Sequence, residues 1–135
     1  MRNIFSVDVE DYFHPSELET AAPRTSWTHQ PARVADSTRR LLDLLAAEQV
    51  HATFFILGWV AHREPGLVRD IAAAGHEVAC HSYWHRLVYS LQPGEFRRDT
   101  SDAVKAIEDA CGSTPRAYRA PSYSVRADTM WALDI

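Results

Sequence analysis

Short apolar runs with a two-residue beat alternate along this chain with longer stretches whose apolar residues recur every three or four positions. Residues 3–9 (NIFSVDV) alternate and end in acids, which predicts a first strand. Residues 34–48 follow with Val34, Thr38, Leu41, Leu42 and Leu45 at helical spacing. The near-continuous run at 51–57 (HATFFIL) is rich in β-branched and aromatic residues and is closed by Gly58, as suits a strand covered on both faces. A second helix is expected to start near Pro65 and stop at Gly75, with a short strand at 77–79. The clearest helix carries Phe96, Thr100, Ala103, Val104, Ile107 and Cys111 on one face, with Pro93 near its start and Gly112 just past its end. Residues 117–119 read as a fourth strand and 128–135 as the beginning of a fourth helix. Four successive βα units predict an α/β fold with a parallel sheet or a βα barrel, of which they would make about half. With no C-cap before Ile135, residues 1–135 are expected to be the N-terminal part of one larger domain.

In such folds the working groups collect where strands end, because the following loops open onto one face. Asp8, Glu10 and Asp11 stand at the end of the first expected strand, His81 and His85 follow the third, and Arg119 ends the fourth. Each has an ordinary alternative. An H-x-x-x-H spacing also arises by chance, three acids in four residues can be a solvated loop, and an arginine before Ala120-Pro121 can be a structural ion pair. Charges abutting an apolar strand are nevertheless costly unless paired or bound to a cation. Together the groups form the inventory of a metal hydrolase: two imidazoles and a carboxylate for a cation, a carboxylate as base, and a guanidinium to orient it. His29, His51, His62 and His76 read as packing or surface residues, whereas His14, just past the acidic strand end, could border the site.

Composition narrows the partners. Hydrophobic residues at 46% and charged residues at 24% are those of a folded globular chain, which excludes disorder. The net charge of −4, without a dense basic block, disfavours nucleic acid as a partner. No apolar run approaches the ~20 residues of a membrane span, and Asp8 interrupts any signal-peptide core. Cys80 and Cys111 form no C-x-x-C pair and read as reduced thiols, so a cytoplasmic setting is expected. Oligomeric state is not legible.

The chain resembles the NodB-type polysaccharide deacetylases (carbohydrate esterase family 4), in a branch akin to peptidoglycan and exopolysaccharide-locus deacetylases. Residues 6–13 (SVDVEDYF) are similar to the family's first motif, His81-Ser82-Tyr83-Trp84-His85 to its second, and Arg119-Ala120-Pro121 to its third. Residues 52–58 and 74–78 are also typical of it. The resemblance implies a distorted βα barrel that hydrolyses acetamide groups on an N-acetylated glycan or polysaccharide and releases acetate. Asp8 would be the base, His81 and His85 metal ligands, and Arg119 the residue that orients Asp8. The third ligand would be Glu10, in a D-x-D variant that puts i and i+2 on one face, or Asp11 if the strand bulges. The Ser122 N–H would be the oxyanion donor, and Tyr12, His14, Trp84 and Tyr123 would border the substrate. Zinc is the expected cofactor, with cobalt, nickel or iron also fitting. The family's last two motifs, including a histidine that serves as general acid, would fall after Ile135. Two rival readings are a hydrolase of a small cyclic amide and an inactive carbohydrate-binding module.

Overall fold

Three of the apolar runs pair side by side in the computed structural model, which describes residues 3–135. Strands β1 (Ser6–Val9), β2 (Thr53–Ile56) and β3 (Glu77–Cys80) form a parallel sheet in the order β1-β2-β3. Asp8 lies opposite Phe55, and Phe55 opposite Ala79. The expected fourth strand is reduced to one parallel bridge, Cys80 to Tyr118, so sequence order is kept across four β positions.

Four α-helices accompany the sheet: α1 (Val34–Ala47), α2 (Gly58–Arg63), α3 (Pro65–Ala73) and α4 (Pro93–Cys111). α4 begins with a capping box between Gln92 and Glu95 and ends on Gly112 in the left-handed region, φ 72°. Phe54 and Ile56 of β2, Leu67, Val68 and Ile71 of α3, and Ile107 of α4 are fully buried against one another. Each such side chain contributes about 1.5–3 kcal/mol on burial. The period-two alternation of β2 turns Phe55 to the opposite face, and the ladder register puts Asp8 beside it. That face carries the chemistry.

The structure departs further from the sequence reading in three places. Gly58 does not merely end a strand but opens α2, a helix the periodicity did not suggest. A Cβ at Gly58 would stand 2.6 Å from Tyr83 Cδ2 and 2.7 Å from Ala103 Cα, so α4 and the loop after β3 close over a hydrogen atom. The segment from 127 to 134 is a 3-10 helix, interrupted at Thr129, rather than an α-helix. Between β1 and α1 the chain makes a long excursion through two 3-10 turns, Ser16–Leu18 and Arg24–His29, which bury Phe13 and Trp27. No helix among the described residues is long and apolar enough to cross a membrane.

Candidate metal centre

β1 ends at Val9, and the chain turns at once. The His14 N–H donates to the Asp11 carbonyl at 3.0 Å, and the Asp11 N–H donates to His14 Nδ1 at 2.7 Å. This doubly closed turn separates the two acids that strand geometry left open. The Asp11 carboxylate is buried and accepts the N–H groups of Arg33 (2.7 Å) and Val34 (3.0 Å) at the start of α1. It caps a helix whose own N-terminal residue offers no side-chain cap. Asp11 is therefore absent from the cluster that Glu10 joins. One oxygen of Glu10, one nitrogen of His81 and one of His85 lie within 4.8 Å of one another.

The H-x-x-x-H segment is a loop, not a helix. Ser82 (φ 66°) and His85 (φ 52°) both adopt left-handed backbone, and the two imidazole centroids come to 5.3 Å. Asp99 of α4 holds this loop: its Oδ2 accepts the Ser82 hydroxyl (2.6 Å) and the Tyr83 N–H (2.9 Å), and its Oδ1 accepts the Trp84 N–H (3.2 Å). From the other side the Gly58 N–H donates to the Ser82 carbonyl at 2.8 Å. The sequence reading missed Asp99. Its signal was a carboxylate three residues after Phe96, on the apolar face of a helix.

His81 is buried, and its Nδ1 stands 2.8 Å from the Arg119 carbonyl, which can only accept. Nδ1 thus carries the proton and Nε2 is left with a lone pair. Burial lowers the His81 pKa, against the opposing pull of the Asp8 carboxylate and that carbonyl, which favours the neutral ring a cation requires. Arg119 also donates through Nη1 to Asp8 Oδ1 (2.6 Å) and through Nη2 to Ser6 Oγ (2.7 Å), with its guanidinium 3.9 Å from the Phe55 ring centroid. The other oxygen of Asp8, Oδ2, is 4.0 Å from His81 Nε2.

The residue set fits a cation. Glu10 Oε2 is buried and 3.0 Å from His85 Nε2, yet it makes no hydrogen bond among the described residues. A buried carboxylate oxygen left in this way is costly unless a positive charge sits beside it. Two imidazoles and a carboxylate are a donor set for zinc or a neighbouring divalent ion.

The residues expected at the rim divide. Tyr12 is half exposed beneath the Arg33 guanidinium, in a groove of about 280 Å³ that it shares with Asp8 and Glu10. Trp84 is partly exposed and packs against Trp27 and Tyr83, and Tyr123 is 93% exposed. Ser122 and Tyr123 both take left-handed backbone directly after Pro121, which turns this segment sharply. His14 departs from expectation. It is 1% exposed, enclosed by Phe13, Trp27 and Trp59, and belongs to the core behind the site rather than to its rim.

The chain is similar to several known proteins. A chitooligosaccharide deacetylase from Sinorhizobium fredii (strain NBRC 101917 / NGR234) is 36% identical over 110 residues, covering 81% of this chain and 51% of its own. A family 4 carbohydrate esterase from Streptomyces lividans, solved in complex with acetate, is 33% identical with a TM-score of 0.68, over 76% of this chain and 52% of that one. A family 4 pseudoenzyme from Bacillus anthracis is 29% identical with a TM-score of 0.70, over 77% of this chain and 37% of that one. The chain spans about half or less of the length of the curated relatives it matches. Its four parallel β positions in sequence order accord with the distorted βα barrel of these structural neighbours. The Polysaccharide deacetylase family model matches residues 26–134, a stretch that contains His81, His85 and Arg119, and on that match the chain belongs to the polysaccharide deacetylase family.

Proposed function

We propose that this protein hydrolyses acetamide groups on N-acetylated sugars of a glycan or polysaccharide, releasing acetate, with zinc as its preferred cofactor. The observation that carries the reading is the convergence of Glu10, His81 and His85 beside an Asp8 that Arg119 holds in place. A divalent cation on those three residues would supply Lewis-acid activation of water and of the acetamide carbonyl.

The chain's own groups have separable tasks. Asp8 takes the proton from the attacking water as general base: Arg119 occupies Oδ1, while Oδ2 stays on the side of the histidines. Arg119 is fixed by Ser6 and by the face of Phe55, so its guanidinium aims the carboxylate. The Ser122 N–H is the donor for the oxyanion of the tetrahedral intermediate. Tyr12, Trp84 and Tyr123 offer exposed aromatic faces for a sugar ring.

The name of the Sinorhizobium relative makes chitooligosaccharides the first substrates to try. Acetate release from N-acetylglucosamine oligomers is measured with zinc-loaded and chelator-stripped protein. Zinc-dependent release is expected. Tight zinc and oligosaccharide binding without any release, by a protein that also carries the family's last two motifs, would overturn the catalytic reading in favour of a carbohydrate-binding role.

A further inference from the structure

We propose that Ser16 is a positioning residue that fixes the tautomer and orientation of His85, so that Nε2 of that ring faces the cation site without a proton; the inference rests on the metal-centre reading above. Ser16 opens the first 3-10 turn of the excursion between β1 and α1, 69 residues from His85 in sequence. Its Oγ lies 3.0 Å from the His85 carbonyl and 3.2 Å from His85 Nδ1.

A hydroxyl has one hydrogen and two lone pairs. A carbonyl can only accept, so the Ser16 hydrogen goes to the His85 oxygen. What Ser16 then presents to Nδ1 is a lone pair, and Nδ1 must supply the hydrogen. A neutral imidazole protonated on Nδ1 is bare on Nε2. The Arg119 carbonyl does the same to His81, so the two rings are set alike by two unrelated acceptors.

The position of Glu10 fits a cation at the bare nitrogen. Its Oε2 lies 3.0 Å from His85 Nε2 and has no hydrogen-bond partner among the described residues, and two acceptors so close together call for a positive charge between them. The backbone of His85 adds a second reason for a clamp. It is left-handed, φ 52°, a conformation unfavourable for a non-glycine residue, and the bond from Ser16 to its carbonyl helps hold it. The same excursion also grips the loop through Arg24 Nε, which donates to the Trp84 carbonyl at 2.7 Å.

Three variants separate tautomer control from simple clamping: Ser16→Ala, Ser16→Thr and Arg24→Ala. Zinc affinity is read by competition with a chelator, and the ring nitrogens of His85 by long-range proton–nitrogen NMR of the zinc-loaded chain. Ser16→Ala should bind zinc ~10-fold or more weakly, as for loss of an outer partner of a metal-bound histidine. Its His85 Nδ1–H signal should shift or broaden through exchange. Ser16→Thr should match the wild type in both readouts, and Arg24→Ala should keep the Nδ1–H signal and the affinity. Wild-type affinity with an unchanged signal in Ser16→Ala would overturn the role of Ser16 alone, as would equal damage from Arg24→Ala. A wild-type chain that binds no zinc would overturn the metal centre as well. Should Ser16→Ala not fold, the wild-type spectrum still decides: a proton on Nε2 of His85 in the zinc-loaded chain refutes the inference.

Discussion

Asp99 accepts the Ser82 hydroxyl at 2.6 Å and in doing so anchors the loop that carries both histidines to α4. With the Tyr83 and Trp84 N–H groups it satisfies three donors through two oxygens. Asp99→Asn keeps the size but has one acceptor oxygen, and its amide nitrogen would face a donor. Each lost bond to the buried charge costs about 1.5–3 kcal/mol. Thermal unfolding should therefore shift down clearly, and zinc affinity should fall with it although Asp99 touches no cation. Calorimetry with and without zinc reads both effects.

Removing the base should leave the ligands intact. Asp8→Asn keeps the shape of the side chain and is expected to lower turnover by roughly 10²–10⁴-fold, the range for a general base, with zinc still bound. His81→Ala should lose zinc and turnover together. Metal content and acetate release, measured on the same preparations, distinguish the two. A near-normal rate in Asp8→Asn would assign the base elsewhere.

Neighbouring acids should fail in different ways. Glu10→Gln should weaken zinc binding ~10-fold or more, taking the loss of an outer partner as the floor. Asp11→Ala should spare zinc but destabilise α1, since the oxygen that accepts the Arg33 and Val34 N–H groups is gone. Loss of a cap costs about 0.5–2 kcal/mol. Zinc titration and urea unfolding of the two variants should give opposite rankings, and a shared ranking would reject the division of labour.

Acid should expose His14. Its burial, with a smaller contribution from His85, takes the imidazole from its ordinary value of 6.5 down to about 3. Below pH 6.5 the unfolded chain binds a proton that the folded chain refuses until about pH 3, so folding stability falls as pH drops through that window. The slope reaches at most about 1.4 kcal/mol per pH unit. His14→Asn retains an acceptor for the Asp11 N–H and removes the titrating ring. Urea midpoints between pH 7 and pH 4 should fall less steeply for this variant than for the wild type.

The elements read most easily from the sequence are those fixed by nearest neighbours. Val34, Leu41 and Leu45 announce α1, and Phe54 with Ile56 announces β2, because burial follows their own periodicity. Gly58 concealed α2, since a glycine marks a break locally while its need here comes from Ala103 and Tyr83, far along the chain. The excursion from 10 to 33 has no periodicity to read. Its course follows from Phe13 and Trp27 packing on Trp59 and from bonds such as that of Ser16 to His85. At the site, the two-residue repeat sets Asp8 and Glu10 on one side, and Glu10 lies with His81 and His85, whereas the surroundings of Asp11 depend on where a helix begins 23 residues later. His14 was misplaced because proximity in sequence to the acids says nothing about which way the turn folds its ring.

One side chain also reports the shape of the wall it stands on. Arg119 follows the fourth β position, yet its guanidinium passes the Phe55 ring on the second strand and ends at Ser6 and Asp8 on the first. Were the strands laid flat, the fourth position would lie about 14 Å from the first, three interstrand spacings away, too far for these two side chains to meet. The guanidinium is a chord, and it can close only because the strands bend into an arc. A substitution that flattens this arc, for example by wedging bulk between β2 and β3, would part Arg119 from Asp8 without altering either residue.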